Sequence, residues 1–314
     1  MTTVLVTGGA GFIGSHLADR LLAEGMRVIA VDDLSSGRIA NLADSRSYGK
    51  EYTFFNIDVR SDGLFPLFER HRPEVVFHLA AQSGVRSSVT DPGHDASVNV
   101  MGAMNVLESA VRVGVRKVVY AASGGTIYGE PKRVPAKESA AQGSHPTSPY
   151  GISKKVVVDY LGFYQRYRGL DYTALALGNV YGPRQDPLGE AGVVAIFAAK
   201  MIVGESPTIF GDGNQTRDFV FIDDAVHAFV QSVDRGSGKL VNVATGLETS
   251  VNGLYGLLAD LTGFAGEPQH EPPPPGELRR IALDISSAAS AIAWKPWTHL
   301  EDGLAETVAY LKGI

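Results

Sequence analysis

Short apolar runs alternate with stretches of helical period through the first half of the chain. Val4-Leu5-Val6, Val28-Ile29-Ala30-Val31, Phe54 to Val59, Val75 to Leu79, Val118 to Ala122 and Thr173 to Leu177 are the apolar runs. Continuous runs of this length predict strands buried on both faces, as in a parallel sheet covered by helices. Between them apolar positions recur at helical spacing. Ile13, Leu17 and Leu21 mark the first helix, which Gly25 is placed to stop. Further helices are predicted over 63–71, 94–113 and 149–168. With right-handed crossovers this alternation predicts an α/β fold, a doubly wound parallel sheet.

The rhythm breaks after Leu177. Glycine and proline become frequent, and Pro272 to Pro275 reads as a stiff exposed loop. The expected division is a Rossmann domain over residues 1–178 and a smaller mixed α/β substrate-binding region over residues 179–314. Within the latter, Phe219 to Val243 reads as strand-helix-strand and is expected to return to the large sheet.

Between the first strand and first helix lies Gly8-Gly9-Ala10-Gly11-Phe12-Ile13-Gly14. Gly8 permits a tight turn, Gly11 lets backbone approach a pyrophosphate, and Gly14 lets helix and strand pack closely. The helix N-terminus then faces the negative charge. Asp32 closes the second strand, where a carboxylate accepts from ribose hydroxyls and repels a 2′-phosphate. NAD is therefore favoured over NADP, although Arg38 nearby leaves NADP open. Asp58-Val59, at the end of the third run, is expected near the adenine; a strand-end cap is the alternative for Asp58.

Composition narrows the partners. The net charge is −6 without a basic run, which disfavours nucleic acid. Cysteine is absent, which removes disulfides, thiolate metal sites and a Cys nucleophile and fits a reducing cytoplasm. The N-terminus enters a strand without a basic segment, unlike a signal peptide. Val193 to Val203 is too short to span a bilayer and holds Lys200, so no membrane partner is expected. No His pair has metal spacing. His78 ends an apolar strand and reads as a core residue.

Tyr150 and Lys154 stand four apart, which on a helix places phenol and ammonium on one face. The ammonium should favour phenolate, and a tyrosinate is a competent base for a sugar hydroxyl. A solvated helix face is the bland alternative for this spacing. Together with the glycine loop, Leu79-Ala80-Ala81, Asn99, Asn179-Val-Tyr-Gly-Pro-Arg184, Gly211-Asp-Gly and Arg217-Asp218-Phe219, the pair resembles the extended short-chain dehydrogenase/reductases. Within that group the chain is most similar to the UDP-glucose 4-epimerases, also called UDP-galactose 4-epimerases.

The resemblance implies an NAD-dependent isomerase. Tyr150 would take the proton of the sugar 4-hydroxyl as C4 gives up hydride. The 4-keto sugar would turn over in the pocket and receive hydride on its other face. Implied at the cofactor are Gly8, Gly11, Phe12, Ile13, Gly14, Asp32, Asp33, Asp58, Val59, Leu79, Ala80, Ala81 and Asn99, with Tyr150 and Lys154. Implied at the substrate are Ser83, Arg86, Thr126, Asn179, Val194, Phe210, Arg217, Arg280 and Ile281. Arg217 would meet the diphosphate, or else pair with Asp218 or Asp212. Arg184 would tether its loop. The sequence departs from the family at Gly124, where a Ser or Thr is common. Thr126 is the expected replacement hydroxyl and Ser123 the alternative. The Asp-Glu pair of the 4,6-dehydratases is absent at Gly125-Thr126, which counts against dehydration. Pro274 stands where a second diphosphate arginine is common, with Arg279 or Arg280 as substitutes. Ile281 would gate the sugar and could admit an N-acetyl group. Rival readings are a UDP-glucuronate epimerase or decarboxylase, a dTDP-hexose epimerase, and a non-catalytic dinucleotide sensor. Helices 94–113 and 149–168 carry apolar residues beyond one stripe (Val106, Leu107, Val156, Val157, Phe163, Tyr164), and the family pairs these helices in a homodimer.

Overall fold

The computed structural model describes residues 1–188, 192–273 and 278–313. Strands β1 (Thr3–Thr7), β2 (Arg27–Asp32), β3 (Tyr52–Asn56), β4 (Val75–His78), β5 (Lys117–Ser123) and β6 (Asp171–Leu177) join an edge strand, Lys239–Val243, in one 7-stranded sheet. Its order is edge strand, β6, β5, β4, β1, β2, β3, and every neighbouring pair is parallel. The chain thus winds outward in both directions from the boundary of β1 and β4. In such a sheet a crevice opens there, beyond the carboxyl ends of the strands.

Both faces of the sheet are dry because the apolar runs are continuous. Val4, Val6, Val28, Ala30 and Phe77 enter one core, which also holds Leu17 and Leu21 of the helix Phe12–Ala23. Leu5, Ile29, Val31, Val76 and Val118 enter the other, against the helices Leu64–His71, Gly102–Val113 and Pro149–Arg168. Each large side chain so buried contributes on the order of 2 kcal/mol.

Three expectations shift. The third strand spans 52–56, not 54–59. Asn56 Nδ2 and the Ile57 amide both donate to the Asp32 carbonyl, and beyond them the chain leaves the sheet. Ile57 and Val59 only prolong the apolar alternation. The helix expected over 94–113 is three pieces: Pro92–Ala96, a π-helical turn Ser97–Met101, and Gly102–Val113. Gly102 lies so close to Val59 that a Cβ there would come within 2.8 Å of its Cγ2. Such wide turns re-aim side chains and often sit at functional sites. Finally, Phe219–Phe221 pairs with Asn179–Tyr181 in a separate two-stranded sheet, and the strand that joins the large sheet from this segment is Lys239–Val243.

Of the apolar residues singled out for a dimer face, Val106, Leu107, Val157 and Tyr164 are buried in the core. Phe163 is exposed, together with Met101, Ile152, Tyr160 and Tyr167. Among the described residues no helix is long and apolar enough to cross a membrane.

Candidate active site

A cleft of about 950 Å³ lies at the carboxyl ends of the central strands. The glycine loop forms one wall. Gly8 has φ +71°, and a Cβ on Gly14 would lie 2.0 Å from the Gly8 carbonyl oxygen. The loop therefore has its shape only with glycine at both positions. No side chain caps the helix that follows, so its first-turn amides, at Phe12 and Ile13 on the cleft wall, remain for a ligand phosphate. Asp32 closes this end. Its carboxylate accepts from the amides of Ala10 (3.0 Å) and Leu34 (2.8 Å). Burial pushes its pKa up, and those two hydrogen bonds oppose the shift.

Asp33, Asp58, Val59, Leu79, Ala80 and Ala81 also line the cleft. Asp58 sits in the loop after β3, gripped by the Arg60 guanidinium and amide, which hold its pKa low. Arg38, which left NADP open, is ion-paired with Asp186 at 2.7 Å. Asn99 does not line the cleft. Its amide is buried behind the wall, donating to the Gln82 carbonyl (3.0 Å) and accepting from the Gln82 amide (2.9 Å). It holds the backbone of the segment after β4 in place. The residues present fit a dinucleotide: a glycine cradle that a Cβ would fill, an uncapped helix start, and a cleft-lining Gln82 whose buried Oε1 has no partner among the described residues.

Tyr150 and Lys154 stand at the cleft floor on the helix Pro149–Arg168, which Ser148 caps by accepting from the Gly151 amide. Lys154 Nζ donates to the Ala121 carbonyl at 3.0 Å and lies 5.8 Å from the Tyr150 ring centre. Burial lowers the Lys154 pKa to about 8. The expectation that the ammonium lowers the phenol pKa is not met. Burial dominates and pushes Tyr150 up to about 12, opposed by a hydrogen bond with the Ser123 side chain. A water-poor site disfavours phenolate more than a neighbouring cation favours it.

The two candidate hydroxyls differ in their surroundings. Ser123 touches Tyr150, whereas Thr126 Oγ1 turns back to the Ser123 carbonyl at 3.4 Å. Gly124 is fixed by packing: a Cβ there would lie 2.3 Å from Leu283 Cδ1 and 3.0 Å from the Ala176 carbonyl oxygen.

Ser83, Arg86, Thr126, Asn179, Val194 and Arg217 line the other side of the cleft. Arg86 carries its guanidinium 4.3 Å over the Phe210 ring. Arg217 donates to the carbonyls of Thr216 and Leu278. Asp218 does not pair with it. Its buried carboxylate accepts from the amides of Thr245, Gly246 and Leu283. Arg184 binds Asp19 and Asp44 at 2.7 and 2.6 Å, tethering its loop to the first helix.

Three expected substrate residues, Phe210, Arg280 and Ile281, are not among those that line the cleft. Arg280 forms an exposed two-point ion pair with Glu248, and Arg279 one with Asp212. Ile281 is 2% exposed, packed among Ile127, Tyr128 and Leu283, so it gates nothing. Pro274 lies outside the described residues. His78 is a core residue, bonded to Thr7 Oγ1 at 2.7 Å and stacked on Tyr120. The buried Asp95, which the sequence pattern did not single out, accepts from Asn99 Nδ2 and Ser153 Oγ beneath the catalytic helix. Its i, i+4 spacing to Asn99 was the available signal.

Comparison with known proteins agrees with this geometry. The family model described as the NAD dependent epimerase/dehydratase family matches residues 4–244. A UDP-glucose 4-epimerase of Mycolicibacterium smegmatis is 47% identical over 309 residues, 98% of each chain. The crystal structure of a Thermotoga maritima UDP-glucose 4-epimerase with UDP-glucose superposes with a TM-score of 0.95 at 44% identity, covering 99% of both chains. That of a Thermus thermophilus UDP-glucose 4-epimerase with NAD gives 0.92 at 39% identity, again over 99% of both. This chain is a member of the NAD-dependent epimerase/dehydratase family, an extended short-chain dehydrogenase/reductase.

Proposed function

We propose that the protein is an NAD-dependent isomerase that interconverts UDP-glucose and UDP-galactose through a transient 4-keto sugar. The observation that carries the reading is the placement of Tyr150, Lys154 and Ser123 together at the floor of a cleft whose far wall is the glycine loop. Full-length similarity to UDP-glucose 4-epimerases supports the choice of sugar.

The glycine loop and Asp32 hold NAD, which supplies the hydride acceptor and donor when bound. In its phenolate form, the minor one near pH 7, Tyr150 Oη takes the proton of the sugar 4-hydroxyl and returns it to the C4 oxygen once C4 has inverted. Ser123 Oγ, hydrogen-bonded to Tyr150, orients the phenol and shares the proton path. Lys154, whose pKa burial lowers only to about 8, stays an ammonium near neutral pH, 5.8 Å from the Tyr150 ring centre, and would hold the ribose beside the sugar. Arg217 anchors the diphosphate from the substrate-binding region, 179–314, leaving the hexose free to turn. Asn179 and Val194 border the hexose, Ser83 and Arg86 close the opposite side, and Phe210 borders the base. The reading includes a cytoplasmic homodimer joined through the exposed apolar residues Met101, Ile152, Tyr160, Phe163 and Tyr167.

Incubation with UDP-glucose, UDP-N-acetylglucosamine, UDP-glucuronate and dTDP-glucose, with chromatography of the products, tests the proposal. UDP-galactose from UDP-glucose is the expected product. No C4 epimer from UDP-glucose would reject it.

A further inference from the structure

Beneath the catalytic helix lies a buried carboxylate that the reaction as described does not use. Asp95 is fully buried in the short helix Pro92–Ala96. One carboxylate oxygen accepts from Asn99 Nδ2 at 2.9 Å, and the other from Ser153 Oγ. These partners belong to different machinery. The Asn99 amide also clamps the Gln82 backbone, and Gln82 lines the cleft. Ser153 precedes Lys154 on the helix that carries Tyr150. A single carboxylate therefore ties the cofactor wall to the catalytic helix.

Its charge has a second consequence. Four titratable side chains act on Lys154 from the elements packed around it. Tyr150 stands on its own helix, Tyr120 on β5 with its ring centre 5.1 Å from Nζ, His78 on β4, and Asp95 on the short helix. Burial holds both phenols and His78 in their neutral forms near pH 7. Among these groups Asp95 is the carboxylate. An isolated buried charge is costly, and Asp95 holds its carboxylate in the same buried layer as Lys154 through Ser153, the residue next to Lys154 on the helix.

We propose that Asp95 is a positioning residue: it locks the Tyr150–Lys154 helix to the cofactor wall and supplies the counter-charge that keeps Lys154 an ammonium. The same charge opposes phenolate formation at Tyr150. Neutralising Asp95 therefore lowers the pKa of both groups together. A pH–rate profile bounded by a deprotonated Tyr150 and a protonated Lys154 then moves bodily to lower pH. A purely structural role would scale the whole profile instead.

The proposal rests on the Tyr150 and Lys154 assignment, so its test includes a readout independent of turnover. Asp95→Asn keeps the shape and can keep both hydrogen bonds while removing the charge. In protein labelled with ¹³C and ¹⁵N at lysine, the Lys154 Cε–Nζ signal, assigned by its loss in Lys154→Met, is titrated in the wild type and in Asp95→Asn. The midpoint is expected to fall from about 8, with a shift of about one unit. Where the enzyme turns over, both limbs of its profile should move the same way. An unchanged Lys154 midpoint in a variant of native melting temperature would overturn the proposal, whatever the activity. If the Asn variant does not accumulate, Asp95→Ser, smaller and still polar toward Asn99, is titrated in its place with the same two outcomes. Absence of turnover in the wild type, by contrast, would count against the proposed function alone.

Discussion

Replacing Gly14 by alanine is the sharpest perturbation of the cofactor wall. The new Cβ would lie 2.0 Å from the Gly8 carbonyl oxygen, 2.8 Å from the Gly8 carbonyl carbon and 3.1 Å from Gly9 Cα. All three are backbone atoms, so no side chain can swing aside. Relief needs roughly 1.5 Å of movement to reach a normal contact near 3.5 Å. Either the loop shifts, which Gly8 at φ +71° resists, or the helix start shifts, which Leu17, Ala18 and Leu21, all fully buried, resist. Overpacking of this kind costs about 1–3 kcal/mol. In a chain of this size that is a fall in Tm of roughly 2–6 °C. The same movement carries the first-turn amides away from a phosphate, so NAD retained through purification should fall at least about tenfold, the loss of one charge-assisted hydrogen bond. Gly256→Ala is the control. It sits exposed in the helix Val251–Thr262 with nothing within 4 Å of a new Cβ. That change should raise stability by about 1 kcal/mol and leave NAD content alone. Thermal melts and the nucleotide released on denaturation measure both. A Gly14→Ala protein with native Tm and full NAD would refute the reasoning.

Three further outcomes are expected. Ser123→Ala should lower kcat by roughly 10- to 100-fold while Thr126→Ala changes it less than about threefold, because Ser123 alone of the two bonds Tyr150; equal losses in steady-state assays would contradict this. Asp218→Asn should cost about 3 kcal/mol or more, since the amide nitrogen would face backbone N–H groups that now find a carboxylate; urea titration reads it, and a native midpoint would be the contrary result. His78 has its pKa lowered from 6.5 to about 3 by burial. As a depressed base it contributes stability that is full above pH 6.5 and is lost as pH falls toward 3, at about 1.4 kcal/mol per unit; melts at pH 7, 6 and 5 should show that slope weakened in His78→Asn.

The parts of the molecule that the sequence made legible share one physical property: their signal is local. Apolar runs mark the central strands because both faces are buried, and the glycine loop reads clearly because three glycines each answer to backbone approach. Tyr150 and Lys154 are legible because helical spacing fixes their common face. What could not be read depends on contacts far apart in the chain. That position 124 has no room for a hydroxyl-bearing side chain depends on Leu283, far along the chain, packing over it. Arg280 leaves the site because Glu248 captures it, and Ile281 because it joins the cluster around Tyr128. The π-helical turn at 97–101 leaves no mark in apolar periodicity, so the bonds of Asn99 to the Gln82 backbone and Asp95 are not legible in the sequence. Asp95 looked like any polar helix residue, since the sequence does not show that Ser153 would cover it.

The central claim is that Tyr150 moves the proton at the sugar C4 in a site built to hold NAD. Tyr150→Phe removes the phenol oxygen and little else. UDP-glucose to UDP-galactose conversion should fall by at least about 10²-fold, while Tm and bound NAD stay at wild-type levels. Conversion at the wild-type rate by that variant would contradict the account.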